Sequence, residues 1–276
     1  MPKQINRRVS KKKKKALFSI SIPLALCFIG LAIFFVSQQQ ATGLAFWQIY
    51  QNLANPTIRY VKINEGMRQE EVVDRFAKTL GWSELQKQQL VASHKLALNG
   101  KSEGYYFPTT YVVPVKASPE QVSREIVSKF KSEVVDSQKK LREGVINTDT
   151  IIKIASIIQR EAGGKSDMKL ISGIIWNRLF QGMSLDIDAT LQYAKGQDGK
   201  WWPVVKPEDK KINSPFNTYK NKGLPPAPIS NPGEEAIKAA LNPANTSALF
   251  YMHDAFGQIH TAKTYQQHVA NIQTYY

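Results

Sequence analysis

The sequence predicts an α+β fold behind an N-terminal membrane span, and three observations carry that prediction. Short strand-like runs stand at 58–63, 249–252 and 258–262, amphipathic helical runs fill the interval, and residues 16–36 contain no formal charge. Those 21 residues, interrupted mildly by Ser19, Ser21 and Pro23, are long enough to cross a hydrocarbon core of about 30 Å. Lys11 to Lys15 stand immediately before the span, with Lys3, Arg7 and Arg8 further out. This positive excess puts the N-terminus in the cytoplasm and the remainder outside. Ser37 and three glutamines follow without a small-residue cleavage pattern, which favours an uncleaved single-pass anchor over a signal peptide. The expected organisation is a basic cytoplasmic tail at 1–15, the span at 16–36, a spacer at 37–57, a small module at 58–108 and a mixed helix–sheet domain at 109–276.

A net charge of +15 invites a nucleic-acid partner, but its distribution argues against one. The first 36 residues hold eight Lys/Arg and no Asp/Glu, leaving 29 basic against 22 acidic residues, or +7, for the exported part. That moderate excess suits an anionic polymer or surface, and solvated lysines account for it equally well. The one cysteine, Cys27, lies in the expected span, so the exported part has no thiol or disulfide chemistry. His94, His253, His260 and His268 lack the spacing and cysteine companions of a zinc site, and neither metal nor cofactor is expected.

The exported part starts with IRYVKI at 58–63, which alternates like a strand before a turn at Asn64-Glu65-Gly66. A helix over 69–80 puts Val72, Val73, Phe76 and Leu80 on one face and is closed by Gly81. A second, over 83–98, is expected to turn Leu85, Leu90, Val91 and Leu98 inward before Asn99-Gly100. Residues 103–113 are aromatic and β-prone, broken by Pro108. Ser118 then caps a helix with Pro119 at its first position, running to about 141 with Val122, Ile126, Val127 and Phe130 as its stripe; Gly144 ends it.

IIKIASIIQREAGG at 151–164 is an apolar helical run, capped by Thr148 or Asp149, that takes one carboxylate onto its own greasy face. At 100° per residue Glu161 lies about 20° from Ile154 and within about 60° of Ile157 and Ile158. Desolvation and the negative helix end both disfavour its anion, so its pKa should rise, as a general acid requires. A glutamate satisfied by a buried arginine such as Arg178 is the competing account. Ser166 or Asp167 caps the next helix, with Leu170, Ile171, Ile174, Ile175 and Leu179 inward and Gly182 at its stop. The two helices form a hairpin with Glu161 near the tip, where a cleft can reach it.

Downstream, LDIDATLQY at 185–193 sets Asp186 and Asp188 opposite Leu185 and Ile187; Asp188 reads as a cap for a short helix at Thr190 or a polar wall of the cleft. The polar loop at 195–213 holds Trp201-Trp202, either a sugar platform or a loop anchor. SPFNTY at 214–219 and LPPAPISNP at 224–232 are proline-pinned segments whose neutral donors and acceptors suit sugar hydroxyl and acetamide groups. A short helix at 234–241, the strand pair and a closing helix at 265–272 complete the chain.

Ordered blocks along residues 58–276 resemble one family, the MltG/YceG-like endolytic murein transglycosylases of bacteria. They are EGYYFPTTY at 103–111, ASIIQREAG at 155–163, GIIWNRL and GMSLDIDATLQY within 173–193, SPFNTY, GLPPAPISNPGEEAIKAALNPA at 223–244 and HTAKTYQQH at 260–268. The strand–turn–helix–helix order at 58–108 likewise resembles the LysM-like module ahead of certain cell-wall enzymes, a fold associated with N-acetylglucosamine polymers; a purely structural module is the alternative.

The family resemblance implies that Glu161 is catalytic, that Asn217, Tyr219 and Asp188 position the sugar, and that Ser214, Thr218 and Gln192 line the substrate site. It implies cleavage of the β-1,4 bond between N-acetylmuramic acid and N-acetylglucosamine in peptidoglycan, leaving a 1,6-anhydro end. The partners it implies are glycan strands and membrane cell-wall synthesis enzymes, with an extracytoplasmic catalytic domain anchored in the bacterial inner membrane. Three departures appear: Gln159 where many members have Glu, Ala189 where Pro is common, and Phe216 where Tyr is common. Two competitors stay open: a hydrolase using Asp186 or Asp188 as base, and a non-catalytic wall-binding scaffold.

Overall fold

The computed structural model describes residues 57–135 and 147–276. The basic tail, the expected span at 16–36 and the spacer up to residue 56 lie outside the described residues. Among the described residues no helix is long and apolar enough to cross a membrane.

The fold is α+β, built around two hydrophobic clusters. β1 (Ile58–Lys62) leads through the Gly66 turn into α1 (Gln69–Leu80), and α2 (Glu84–Ala97) follows under a Ser83 capping box. β2 (Thr110–Pro114) then returns antiparallel to β1, with Tyr60 opposite Val112. α3 (Pro119–Phe130), capped by Ser118, packs on α2 and runs into a π-helical turn, Lys131–Val135. The expected continuation to about 141 and the Gly144 stop lie outside the described residues. Val61, Phe76, Leu90, Tyr106, Val113, Val122 and Ile126 belong to the first cluster, which therefore draws on β2 and α3 beyond residue 108.

Two local expectations need correction. Leu85 is exposed, because it lies about 140° round α2 from Leu90, and His94, one turn after Leu90, takes the inward place. The β-prone run at 103–113 is a strand only from Thr110. Glu103 to Phe107 is an irregular buried seam whose aromatics divide: Tyr106 enters the first cluster, Tyr105 and Phe107 the second. Pro108, without an N–H, separates the seam from the strand.

The second cluster surrounds α4 (Thr148–Glu161), whose Ile151, Ile152, Ile154, Ile157 and Ile158 are all buried. α5 (Lys165–Phe180), α6 (Asp188–Lys195) and α7 (Glu234–Leu241) pack around it. Asn147 caps α4, its Oδ1 accepting the Asp149 N–H, where Thr148 or Asp149 was expected. The Asp149 carboxylate is instead engaged by the Tyr105 hydroxyl, Lys101 and Lys153. α5 starts at Gly164 without a side-chain cap, because Asp167 is turned to His253 and Ser166 bonds Asp167. A 3-10 turn (Pro207–Lys211) interrupts the loop after α6. β3 (Phe250–His253) and β4 (Ile259–Ala262) form the expected antiparallel pair, covered by α8 (Tyr265–Tyr275).

Asn231 joins the two clusters. Its Oδ1 accepts the Tyr106 N–H and its Nδ2 donates to the Met67 carbonyl, both at 2.8 Å, while its own carbonyl accepts the Gly66 N–H. Ser156 and Ser230 tie the same proline-rich segment to α4.

Candidate active site

α4 ends at Glu161, and Ala162, Gly163 and Gly164 turn the chain directly into α5. The half-buried carboxyl is held at both oxygens. The Tyr251 hydroxyl donates to Oε2 at 2.7 Å, and the Ala189 N–H donates to Oε1 at 3.2 Å. Burial is the largest influence on its proton equilibrium and raises the pKa above the ordinary carboxyl value. The two donors oppose that rise, Asp188 adds to it, and His253 opposes it weakly. The ion pair with Arg178 is not made. That guanidinium is spent on the carbonyls of Leu185 and Leu249, both at 2.6 Å, and on Asp186 at 3.5 Å.

The segment before α6 delivers the second acid. Asp186 takes the left-handed conformation, φ 53°, and its N–H donates to the Thr218 carbonyl. This bend leads into α6 at Asp188. Asp188 is the first residue of α6 rather than its cap, and its Oδ1 accepts the Tyr219 hydroxyl at 2.6 Å. Burial and the neighbouring acids Asp188, Asp186 and Glu161 raise the Tyr219 phenol, so it stays a donor. Glu161, Asp188 and Tyr219 are therefore brought together.

The other residues implied for the substrate site divide. Thr218 is buried and accepts the Ile187 N–H at 3.0 Å while bonding Thr190, so it locks the bend from behind. Asn217 is fully buried: its Nδ2 donates to the carbonyls of Lys210 and Ile212, and its Oδ1 accepts the Tyr219 N–H. With its amide committed, it shapes the loop that carries Tyr219. The Ser214 hydroxyl accepts the Phe216 N–H within the same turn. Gln192 is half-buried on α6, and no side chain among the described residues engages it. Among the described residues no cluster of three metal-ligating side chains occurs.

A sequence model of the YceG-like family matches residues 39–274. The chain belongs to the YceG-like family. It is 34% identical over 167 residues to an endolytic murein transglycosylase of Bacillus subtilis strain 168, a match covering 60% of this chain and 46% of that protein. It is 28% identical over 173 residues to the endolytic murein transglycosylase of Streptococcus pneumoniae strain D39, covering 62% of this chain and 31% of that one. This YceG-like chain thus spans less than half the length of these curated relatives. A crystal structure of a YceG-like protein from Listeria monocytogenes superposes with a TM-score of 0.67 at 28% identity, over 76% of this chain and 75% of that one.

Several contacts around Glu161 were not visible to sequence reasoning. Tyr251 reads as a strand aromatic, and nothing in its neighbourhood says that its hydroxyl ends on Glu161. The Ala189 backbone carries no side-chain signal at all. His253, two residues after Tyr251, bonds Asp167 at 3.1 Å beside Gly163. Gln159 accepts the Gly233 N–H at 2.9 Å and touches Glu65, so this neutral replacement has a structural task. Phe216 packs on Tyr193, ring centroids 4.7 Å apart. Glu103 lies at the far end of α6, bonded to the Tyr193 hydroxyl and the N–H groups of Gln69 and Gly104. Burial pushes its pKa up to about 8.

Proposed function

We propose that this YceG-like chain is an endolytic peptidoglycan lytic transglycosylase in which Glu161 acts alone as acid and then as base. The observation that carries this is a helix-end carboxyl, raised by burial, hydrogen-bonded by two neutral donors and free of a basic partner among the described residues. Protonated Glu161 gives its proton to the departing glycosidic oxygen. The resulting carboxylate takes the proton of the muramic acid 6-hydroxyl as that oxygen attacks C1, which closes the 1,6-anhydro ring without water. Tyr251 and the Ala189 N–H stabilise the carboxylate between the two steps, since hydrogen bonds to the charged form favour it. Asp188 and Tyr219 position the sugar, and Thr218, Asn217 and Ser214 hold the loops that present them; Gln192 offers a free amide to the glycan.

In this reading residues 16–36 anchor the chain in the bacterial inner membrane and the catalytic domain works outside it, beside synthesis enzymes whose nascent strands it shortens. The β1–α1–α2–β2 order supports a LysM-like module. A groove of about 470 Å³ between α1 and α2, walled by Trp201, offers that module a sugar-sized surface.

The test is Glu161→Gln in the full chain, assayed on uncross-linked glycan with the ends analysed by mass spectrometry. Wild type yields anhydro ends and the variant none, with its fold intact by circular dichroism. Products heavier by one water identify a hydrolase, and unchanged turnover by the variant removes Glu161 from the chemistry.

A further inference from the structure

Resting on the transglycosylase reading, we propose that Arg160 is a carboxylate-binding residue beside Glu161: it takes a carboxylate carried on the muramic acid unit and thereby sets which bond reaches Glu161. Arg160 directly precedes Glu161 on α4. Its guanidinium lies 3.7 Å from the centroid of the Trp202 ring, and its Nη1 and Cδ pack against the turn at Gly66. A Cβ at Gly66 would meet Nη1 at 3.3 Å, and the φ of +78° there also requires glycine, so the turn is shaped around the guanidinium.

This half-buried cation has no ion-pair or hydrogen-bond partner among the described residues, and its Nε is enclosed without an acceptor. The acids that surround it are committed elsewhere. Glu71 accepts the Arg68 N–H at the start of α1, Glu65 is bonded by Gln159, and Glu161 holds Tyr251 and Ala189. Glu71 and Glu161 reach Arg160 only through space. A cation withdrawn from water without a counter-charge is costly, and arginine stays charged under all ordinary conditions. The Trp202 ring holds the guanidinium in place by a cation–π contact, and such a fork binds a carboxylate through parallel hydrogen bonds.

The substrate class supplies that group with the right periodicity. Muramic acid bears a lactyl carboxyl, free on a stripped strand and converted to an amide where a stem peptide is attached, the peptide then carrying carboxylates of its own. N-acetylglucosamine bears none. An arginine one residue from the catalytic acid therefore distinguishes alternate sugars, and the intramolecular attack succeeds only when muramic acid supplies its 6-hydroxyl.

The experiment compares three uncross-linked strands with the full chain: peptide-bearing, amidase-stripped, and stripped with its lactyl carboxyls converted to neutral methylamides. Wild type is expected to show a KM at least about tenfold lower on a carboxylate strand than on the methylamide strand. Arg160→Gln erases that preference and Arg160→Lys retains part of it. A preference for the stripped strand assigns the lactyl carboxylate, and one confined to the peptide-bearing strand assigns the peptide. Equal KM on all three strands with wild type overturns the proposal without any variant, as does an undiminished preference in Arg160→Gln. Equilibrium binding of the same strands to Glu161→Gln separates this result from the chemistry. If wild type cleaves nothing, the transglycosylase reading fails, while the binding preference still decides the role of Arg160.

Discussion

Replacing Tyr251 by Phe removes one hydroxyl and leaves the ring in place. That hydroxyl lies 2.7 Å from Glu161 Oε2 and donates to it, so it favours the ionised carboxyl. A hydrogen bond to a charged group is worth about 1.5–3 kcal/mol, which corresponds to about a ten- to hundredfold change in a protonation equilibrium. Without it, burial acts with less opposition and Glu161 holds its proton more tightly. The free enzyme must be protonated to act as an acid, so kcat/KM falls as pH rises through the Glu161 equilibrium. In Tyr251→Phe this alkaline limb should therefore move to higher pH. The protonated carboxyl is a weaker acid at the same time, because its conjugate carboxylate has lost a donor, so proton transfer to the departing oxygen slows and kcat at the optimum should fall. The assay is a pH profile of anhydro-end formation for both proteins, with saturating and subsaturating strand measured separately. A limb that stays in place, or moves to lower pH, refutes the assignment of Tyr251 as the donor that tunes Glu161.

Glu103 gives a stability prediction of definite sign. Its folded pKa, about 8, is raised above the unfolded value, so its contribution is fully present below the ordinary carboxyl range and is lost as pH rises through 8. Denaturant unfolding should show this decline between those limits, and Glu103→Gln should flatten it. Gly104→Ala should destabilise the fold by about 2–5 kcal/mol, from overpacking plus left-handed strain, in the same unfolding assay. At that position the added Cβ would come within 2.5 Å of Pro228, and φ is +86°. A change below about 0.5 kcal/mol would mean that the seam yields freely.

The joint between the clusters explains why these positions reach the site. Arg68 donates to the Tyr193 carbonyl at 3.0 Å and lies 4.0 Å over the Tyr193 ring, at the end of α6 where Glu103 also binds. The opposite end of α6 supplies Asp188 and the Ala189 N–H. An eight-residue helix is about 12 Å long and stiff, so a contact at Tyr193 fixes the donor on Glu161.

Periodicity was legible in the sequence because it is local, and so was the Ser118 cap, whereas the starts of α4, α5 and α6 fell to other residues. The apolar face of α4, the glycine turn after it and the C-terminal strand pair all follow from side-chain spacing within a few residues. The position of Glu161 on the greasy side of α4 was legible for the same reason, and with it the upward direction of its pKa. Its partner was not: whether it met an arginine or a hydroxyl depended on segments 28 and 90 residues away. Hydrogen bonds to backbone atoms leave no residue-type signature, so Ala189 was silent, and so was the burial of the Asn217 amide inside its own loop. The sequence alone determined that one acid stands at the tip of a helical hairpin. Tertiary packing decided that two neutral donors, and no cation among the described residues, hold it there, because only long-range closure brings β3 and α6 to the end of α4.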